Sequence, residues 1–372
     1  MEEEIYKINE LSINQEKTEF CLCYNNGLKT FDLETFEENN SSNNFQFKLG
    51  SISLSILTPQ ENTVIFVGSQ YNKNYPNNKI VFFDINDKKE LFSKSFDKEI
   101  TNIKCASNFI FIAFGASLLI FSYDEKKNDL EQKEEHKIES NSLFECWIEN
   151  QAEIFNNLYL AFPYEQELII QIYTIKEWSY GKKLNIESPV NQIQNLFYIK
   201  KLNQIFISDE IAKYIYGFDI DEGIKKLCLK RGTNPGYITS IALLNEDKYL
   251  AVNNLDRTIH IFDLDINNNS FSLSNIINGI FYDIQEIYPK FRIHYYDILK
   301  TGEGDFYKND FSEKGGVIHS DNNDELNIIG YNGFAFKIKI NFKENTYKVI
   351  LKKDYLFEKE KKISLHSSGL DF

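Results

Sequence analysis

The chain has 372 residues, of which 42% are hydrophobic, 15% are aromatic and only six are proline, so it can bury large cores. Its formal net charge of −14 argues against a broadly basic nucleic-acid-binding protein, and no nucleic acid is expected as a partner. No apolar run reaches the roughly twenty residues that span a bilayer. The acidic start, with Glu2, Glu3 and Glu4, is unlike a secretory signal, and five cysteines without a Cys-x-x-Cys pair indicate a reducing compartment.

The first predicted elements are two short strands, Phe20–Tyr24 and Leu28–Phe31, joined by the strong hairpin signal Asn25-Asn26-Gly27. Cys21 and Cys23 alternate with an apolar residue on the first strand, so they are predicted to pack in a core rather than to bind a metal. Similar short runs of β-branched and aromatic residues follow, separated by turn-forming clusters. They include Thr63–Val67, Lys79–Phe83, Phe109–Phe114 and Leu118–Phe121.

An aromatic residue closes an apolar run at intervals of roughly forty to fifty residues, which is the length of a four-stranded propeller blade. These residues are Phe31, Phe83, Phe121, Tyr173, Phe218, Phe262 and Phe336. Four of them are followed by an aspartate, at Asp32, Asp84, Asp219 and Asp263. These pairs look like a degenerate form of the Trp-Asp dipeptide of propeller repeats. In that dipeptide the aromatic ring packs between blades and the aspartate starts a turn. No segment has a long helical period. The chain is therefore predicted to be all-β, a seven-bladed β-propeller of the WD-repeat type.

A single propeller is predicted over residues 1–360, with an apolar loop insertion at about 265–290 and a flexible tail over residues 361–372. The mixed-charge stretch 123–140 is interpreted as a solvated connector between the third and fourth blades. The insertion lies in the long gap between Phe262 and Phe336 and is unusually apolar for a surface connection. Spacings within it fit one face of a short amphipathic helix, as in Leu273, Ile276, Ile277 and Ile280.

A Lys-Arg-Gly turn follows a strand-like run and precedes another blade-like repeat. Lys230 and Arg231 are therefore expected at the rim of a sheet, where two adjacent cations can bind phosphate. The alternative is that both are simply solvated rim charges. Gly232 is expected to serve the turn through a positive φ angle, and His260, on an apolar alternating strand, is expected to be structural.

These motifs resemble the PROPPINs, seven-bladed propellers that bind polyphosphoinositides. The run Leu229-Lys230-Arg231-Gly232 is similar to the Phe/Leu-Arg-Arg-Gly signature of that family. Far upstream, Val67-Gly68-Ser69 and the segment from Tyr75 to Asp84 are similar to its VGGG…PPNKVLIWDD element. The opening strand pair also looks like that of the family, so the resemblance spans roughly residues 15–360.

The resemblance implies recognition of phosphatidylinositol 3-phosphate and the 3,5-bisphosphate in two rim pockets, one on each side of the basic pair. Neighbouring strand residues point to opposite faces, so adjacent cations can serve separate headgroups. The first pocket departs from the family pattern because Lys230 replaces arginine, whereas the second keeps Arg231. A charge reversal at Arg231 is expected to leave the fold intact. The implied headgroup-binding residues are Lys230, Arg231, Gly232, Asn254 and Arg257.

The family also carries a long loop in this blade that dips into the bilayer, which implies a membrane-inserting role for the apolar insertion. The residues concerned are Phe271, Leu273, Ile276, Ile277, Ile280 and Phe281. The alternative is that this loop packs against the flank of the propeller or helps to form blade strands.

The implied function is a non-catalytic phosphoinositide effector without cofactor or metal. We expect it to be cytoplasmic and peripherally associated with autophagosomal precursor, endosomal or vacuolar membranes. Its partners are phosphoinositide-containing membranes and autophagy-type proteins that the sequence does not name. A second function, from a different class, is a propeller scaffold for protein–protein interaction that has lost lipid binding. A Gly-rich phosphate cradle, a spaced His/Cys cluster and a Gly-x-Ser-x-Gly turn are all missing from the sequence, so an enzyme is not expected.

Overall fold

The computed structural model describes residues 7–14, 17–39, 49–59, 63–124, 126–151, 155–176, 178–234, 236–265, 286–295, 316–320, 323–331 and 333–354. In these ranges the chain forms seven sheets, with one short 3-10 helix at Lys200–Leu202. Pairing within the sheets is antiparallel except at one added strand of the fifth sheet. In the described ranges, no helix is long and apolar enough to cross a bilayer.

Each sheet is one blade, numbered in chain order. Blade 1 contains β1 (Ile8–Ile13), β2 (Glu19–Tyr24) and β3 (Gly27–Asp32). Blade 2 contains β4 (Ile52–Leu57), β5 (Thr63–Gly68), β6 (Lys79–Asp84) and β7 (Lys89–Ser95). Blade 3 contains β8 (Asn102–Ala106), β9 (Phe109–Phe114), β10 (Ser117–Asp124) and β11 (Asp129–Lys137). Blade 4 contains β12 (Glu145–Gln151), β13 (Phe155–Tyr164), β14 (Glu167–Thr174) and β15 (Ser179–Glu187).

Blade 5 contains β16 (Asn195–Ile199), β17 (Gln204–Ser208), β18 (Tyr214–Asp219) and β19 (Lys225–Lys230), followed at its edge by β23 (Glu286–Ile287). Blade 6 contains β20 (Ile238–Leu244), β21 (Tyr249–Asn254), β22 (Thr258–Asp263) and β24 (Pro289–His294). Blade 7 contains β25 (Gly316–His319), β26 (Glu325–Gly330), β27 (Phe334–Asn341) and β28 (Thr346–Asp354). The first strands of successive blades contact one another from β1 through β25, so they line the centre of the ring.

The ring is held together by apolar cores between neighbouring blades. Six cores join successive blades from 1 to 7, and a seventh joins blade 7 back to blade 1. In that closing core, Phe20 and Leu22 of β2 pack with Ile329 of β26. Burying a side chain of this size contributes about 1.5–3 kcal/mol. Closure therefore comes from side-chain packing between the first and last blades, which are far apart in sequence.

The seven aromatic residues that defined the repeat all lie on the third strand of their blades and are at most 5% exposed. The Asp that follows four of them caps a turn: Oδ1 of Asp32 accepts hydrogen bonds from the backbone N–H groups of Glu34 and Thr35. The same contacts recur at Asp84 and Asp219. The predicted all-β, seven-bladed propeller is confirmed, including the packing and turn roles of the two residues in each Phe-Asp pair.

The interpretation of residues 123–140 as a connector is wrong. Residues Asp129–Lys137 form β11, the last strand of blade 3, paired with β10 along its length. Its sequence is dominated by charged residues because most of its side chains are exposed or half-buried at the outer edge of the blade. The predicted first hairpin is confirmed, with Tyr24 opposite Gly27, and Cys21 and Cys23 are buried.

Blade 5 has a fifth strand that comes from the chain of blade 6. β23 pairs in parallel with β19, placing Glu286 opposite Cys228 and Ile287 opposite Leu229. The chain then returns to blade 6 as β24, which pairs with β22. Ile287 is buried in the core between blades 5 and 6. The end of the predicted insertion is thus strand, whereas the six residues proposed to enter the membrane lie outside the described ranges.

The upstream motif that begins at Val67 and Gly68 builds a tightly packed loop in blade 2. A Cβ on Gly68 would lie 1.6 Å from the backbone oxygen of Tyr75, so only glycine fits at the end of β5. Nδ2 of Asn72 donates to the backbone oxygen of Leu49 at 2.6 Å. Its Oδ1 accepts from the N–H groups of Asn74 and Tyr75, both at 3.1 Å. This motif therefore has a structural role in holding the connection from β5 to β6.

Candidate functional site

The Lys-Arg-Gly motif lies where the chain leaves blade 5 for blade 6. Lys230 is the last residue of β19, opposite Tyr214 of β18, and Arg231 and Gly232 begin the connection to β20. The backbone N–H of Arg231 donates to the oxygen of Lys213 at 3.0 Å. This bond continues the contact between the two strands past their ends and fixes the direction in which the motif leaves the blade.

The ammonium group of Lys230 is held by the added strand. Its Nζ lies 2.7 Å from Oε2 of Glu286 and 3.1 Å from the hydroxyl of Tyr288. It also lies above the rings of Tyr214 and Tyr288, at 5.5 and 5.1 Å from their centroids. The hydrogen bond to Glu286 raises the pKa of Lys230, and the same contact lowers the pKa of Glu286. The side chain is 25% exposed, so Lys230 is a reachable cation that already has a carboxylate partner.

Arg231 is buried, with only 2% of the residue exposed. Its Nε donates to the oxygen of Ala212 at 2.9 Å, and its Nη2 donates to the oxygens of Ile211, at 3.1 Å, and Asn234. Its Nη1 lies 3.4 Å from Oδ2 of Asp256. Burial lowers the pKa of Arg231, although an arginine in a protein stays protonated. The premise that Arg231 is an exposed rim residue, on which the harmless charge reversal was expected, is wrong, because the buried guanidinium satisfies backbone oxygens of two turns.

The glycine requirement near the motif falls on a different residue from the one expected. Gly232 does not have a positive φ angle, and a Cβ placed on it would meet its nearest neighbour, Nη2 of Arg292, at 3.7 Å. The positive φ predicted for Gly232 is therefore wrong. A Cβ on Gly236 would lie 2.5 Å from Nη1 of Arg231. Gly236 thus leaves the space that the buried guanidinium occupies.

The turn between β21 and β22 brings the other predicted site residues beside Arg231. Asn254 is buried, and its Nδ2 donates to the oxygen of Thr258 at 3.0 Å. Its Oδ1 is buried without a hydrogen-bond partner in the described ranges. Arg257 has a φ of +68° and donates its N–H to the oxygen of Asn254 at 3.1 Å. Asp256 of this turn pairs with Arg231, so the turn and the motif meet, whereas the Lys230 side chain is paired with Glu286 on the added strand.

Two basic residues that the sequence analysis did not single out lie on the last strand of blade 6. Arg292 and His294 of β24 are opposite His260 and Thr258 of β22, respectively. Nδ1 of His294 lies 3.0 Å from the hydroxyl of Thr258, and Nη2 of Arg292 donates to the backbone oxygen of Arg231 at 3.4 Å. The alternation Arg-Ile-His was a visible strand signal. The place of this segment beside the motif depends on the pairing of β22 with β24, which are separated by residues 264–288. The hydrophobic pattern did not predict that pairing.

His260 is buried directly behind these groups, and its Nδ1 has no hydrogen-bond partner in the part of the chain that is described. Burial, with the positive charges of Arg292, Arg231 and His294, lowers the pKa of His260 to about 3. The imidazole is therefore neutral at physiological pH. Two guanidinium groups, those of Arg292 and Arg231, are close enough to affect this buried ring, so this edge of blades 5 and 6 is locally basic although the chain is acidic.

Acidification is expected to destabilise the propeller through His260. Its pKa is near 6.5 in the unfolded chain and about 3 in the fold, so below pH 6.5 the unfolded state binds the proton that the folded state excludes. The stabilisation is complete above pH 6.5. Lowering the pH from 7.5 to 5.0 removes about 2 kcal/mol through this residue.

The measurement is urea unfolding at both pH values in phosphate-free buffer, for the wild type and His260→Leu. The variant should lose about 2 kcal/mol less on acidification than the wild type. Carboxylates and other histidines titrate in both proteins, so their contribution cancels in the comparison. An identical loss in both proteins would show that His260 is protonated in the fold.

Comparison with known proteins agrees with this architecture, although no family model matches the chain. SVP1-like protein 2 of Pichia angusta is 24% identical over 258 residues, which are 68% of this chain and 69% of that protein. Among solved structures, Kluyveromyces lactis Hsv2 has a TM-score of 0.68 at 14% identity, with 94% of this chain and 99% of that chain covered. KlAtg21, in complex with the coiled coil of AgAtg16, has a TM-score of 0.60 at 14% identity and the same coverage. The propeller fold and the resemblance seen in the motifs are confirmed.

Proposed function

We propose that this chain, a divergent relative of the PROPPIN propellers, is a non-catalytic phosphoinositide effector. It binds phosphatidylinositol 3-phosphate, the 3,5-bisphosphate or both at the rim between blades 5 and 6, through residues of the Lys-Arg-Gly motif and the turn of blade 6. It is recruited from the cytoplasm to autophagic or endosomal membranes. The proposed headgroup site is still built from Lys230, Arg231, Gly232, Asn254 and Arg257, with the separate roles given below.

One observation carries this proposal: two motifs that are separated in sequence meet at one edge of the propeller. The 3.4 Å contact between Arg231 and Asp256 joins the connection after β19 to the turn at residues 254–257. Because Arg231 and Asn254 are buried, we assign them the role of shaping the pocket from behind. The contacts to phosphate then come from Lys230 and Arg257, since charged donors bind phosphate oxygens more strongly than neutral ones.

Binding at Lys230 requires an exchange of partners. Its ammonium group is 2.7 Å from Glu286, and a phosphate bound there takes the place of that carboxylate. A phosphate carries more negative charge than a carboxylate, so the exchange is favourable where the headgroup can be reached. Glu286 and Tyr288 lie at the end of the predicted insertion, so the side chains that hold Lys230 belong to the segment that follows the apolar loop.

The apolar loop supplies the second part of the proposed membrane contact. Its residues Phe271, Leu273, Ile276, Ile277, Ile280 and Phe281 lie outside the described ranges and keep the membrane-inserting role proposed from the sequence. A fully buried apolar side chain of this size contributes about 1.5–3 kcal/mol. Because the loop and the headgroup site belong to one body, their affinities reinforce each other.

A specific observation also favours a second function, a protein scaffold that has lost lipid binding. Lys230 and Arg231 each have a carboxylate within ion-pair distance, at Glu286 and Asp256. Their charges are therefore balanced without any ligand. The relative KlAtg21 forms a complex with the coiled coil of AgAtg16, so a coiled-coil protein is the partner that this alternative predicts here.

Co-flotation with liposomes tests the lipid proposal. The purified protein should float with liposomes that contain phosphatidylinositol 3-phosphate or the 3,5-bisphosphate, and not with phosphatidylserine alone. Lys230→Gln should weaken this binding roughly tenfold, because one charge-assisted contact is lost. The matched control is Lys104→Gln, which breaks a similar pair, 2.9 Å from Glu145, between blades 3 and 4.

The outcomes separate the two functions. Equal loss of binding in both lysine variants would mean that net charge, rather than a site at Lys230, controls flotation. A folded wild-type protein that floats with none of the liposomes would contradict the lipid proposal. Capture of a coiled-coil protein by that same preparation would then support the scaffold.

A further inference from the structure

The basic residues around the motif differ in how far their charges are already neutralised. Lys230 is paired with Glu286 at 2.7 Å, and Arg231 with Asp256 at 3.4 Å and with three backbone oxygens. Arg292 donates to the backbone oxygen of Arg231, and no carboxylate in the described ranges lies within ion-pair distance of it. Of these three basic residues, Arg292 on β24 is therefore the one whose charge is least neutralised by a carboxylate.

Arg292 and His294 offer several donors on an exposed edge. Both are exposed and alternate with the buried Ile293 on the edge strand of blade 6. The hydroxyl of Thr258 holds Nδ1 of His294 at 3.0 Å, which leaves Nε2 for a ligand. Gly232 lies beside the guanidinium, and even a Cβ there would be 3.7 Å from Nη2. This edge thus offers the Arg292 fork and one imidazole nitrogen without a side chain from position 232.

The surroundings of Arg292 favour an anion. His260, directly opposite Arg292 across the strands, is buried with Nδ1 unpartnered in the described part of the chain. The guanidinium groups of Arg292 and Arg231 both disfavour a proton on that ring, so two fixed positive charges act on it. Arg231 is balanced by Asp256, whereas no carboxylate of the described residues lies within ion-pair distance of Arg292. A bound anion here therefore meets the charge of Arg292.

We propose that Arg292 and His294 form a phosphate subsite on the edge strand of blade 6, which binds a phosphate monoester. A guanidinium binds two phosphate oxygens through parallel N–H bonds, and an N–H at Nε2 of the imidazole adds a third contact. The phosphate belongs to the headgroup of an inositol lipid or to a free inositol phosphate. For the lipid, this inference rests on the proposed function and assigns the strongest headgroup contact to Arg292 rather than to Lys230.

Binding of soluble inositol 1,3-bisphosphate, measured by calorimetry, and flotation with phosphatidylinositol 3-phosphate liposomes test the subsite. Arg292→Gln should weaken both roughly tenfold or more, because a charged hydrogen-bonding partner is lost. Lys290→Gln is the matched control on the same strand, since Lys290 is paired with Asp263 at 3.2 Å and should change binding less than twofold. His294→Asn should also weaken binding, because asparagine has no counterpart of the imidazole Nε2.

The calorimetric and flotation measurements together distinguish a failure of the subsite from a failure of the proposed function. Lipid binding by the wild type that is unchanged in Arg292→Gln would overturn the subsite and leave the phosphoinositide function standing. Binding of the soluble bisphosphate alone, lost in Arg292→Gln, would support the subsite for a free inositol phosphate and overturn membrane recruitment. If neither probe binds and inorganic phosphate leaves the ring proton signals of His294 unchanged in nuclear magnetic resonance spectra, both are overturned.

Discussion

Replacing Arg231 by Gln is expected to destabilise the folded propeller by about 3–5 kcal/mol, because several buried polar groups lose their partner together. The oxygens of Ile211, Ala212 and Asn234 all accept hydrogen bonds from this guanidinium. A glutamine side chain is too short and has too few donors to reach them all. Urea unfolding at pH 7.5, followed by tryptophan fluorescence, measures the change.

Two variants serve as controls for Arg231. Lys230→Gln should leave the unfolding midpoint nearly unchanged, because its ion pair with Glu286 is partly exposed. Arg231→Lys keeps the charge but lacks the planar fork of donors, so it should be nearly as unstable as Arg231→Gln. If Arg231→Gln unfolds at the wild-type urea concentration, the guanidinium is not buried in solution.

This expectation changes how lipid-binding data on the motif must be designed. A charge reversal at both Lys230 and Arg231 would combine loss of a ligand contact with loss of stability. Lost flotation in such a variant would not distinguish a missing site from an unfolded protein. Lys230 is the informative position of the motif, because its side chain can be changed without removing a partner of a buried backbone group. Arg292 is the second such position, since its exposed side chain gives up only one long hydrogen bond, to the backbone oxygen of Arg231 at 3.4 Å.

Replacing Gly68 by Ala is expected to cost about 3 kcal/mol or more, at the upper end of overpacking effects. The added Cβ would lie 1.6 Å from the backbone oxygen of Tyr75, and backbone atoms cannot move aside as a flexible side chain can. Relief of the clash requires the whole loop from β5 to β6 to shift. That shift breaks the hydrogen bonds of Asn72 to Leu49 and Tyr75.

Gly232→Ala is the matched control for Gly68→Ala. Gly232 also belongs to a sequence motif, but its φ is not positive and the space for a Cβ is open. Thermal unfolding of the two variants should therefore differ by many degrees, with Gly232→Ala near the wild type. Similar melting temperatures for both would show that the loop of blade 2 adjusts to a methyl group.

The repeat was predictable from sequence because each blade marks its third strand with an aromatic residue that must be buried. The Phe83 and Phe262 positions show this, since both close an apolar run and start a turn through the following Asp. Composition failed at β11, where the edge of a blade faces water and apolar alternation is lost. The exchange of β23 into blade 5 was also hidden, because a two-residue strand carries no periodic signal of its own.

For the candidate site, the sequence located the motif but not the environment of its side chains. Whether Arg231 is exposed depends on where the turns containing Ile211 and Asp256 come to lie, and these are decided by the packing of two blades. The partner of Lys230 is 56 residues away in sequence. The position of Arg292 and His294 beside the motif follows only from the register of β22 with β24.

The added strand β23 also determines which kinds of partner can bind to the side of blade 5. An extended peptide commonly binds a sheet by adding a strand to an open edge, using its own backbone hydrogen bonds. At Cys228 and Leu229 that edge of β19 is already paired with Glu286 and Ile287 of the same chain. A protein that approaches the motif along this edge must therefore recognise side chains there. At Cys228 and Leu229, backbone amides that face β23 should exchange with solvent more slowly than the outward-facing amides of β15, which pairs only with β14 in the described ranges.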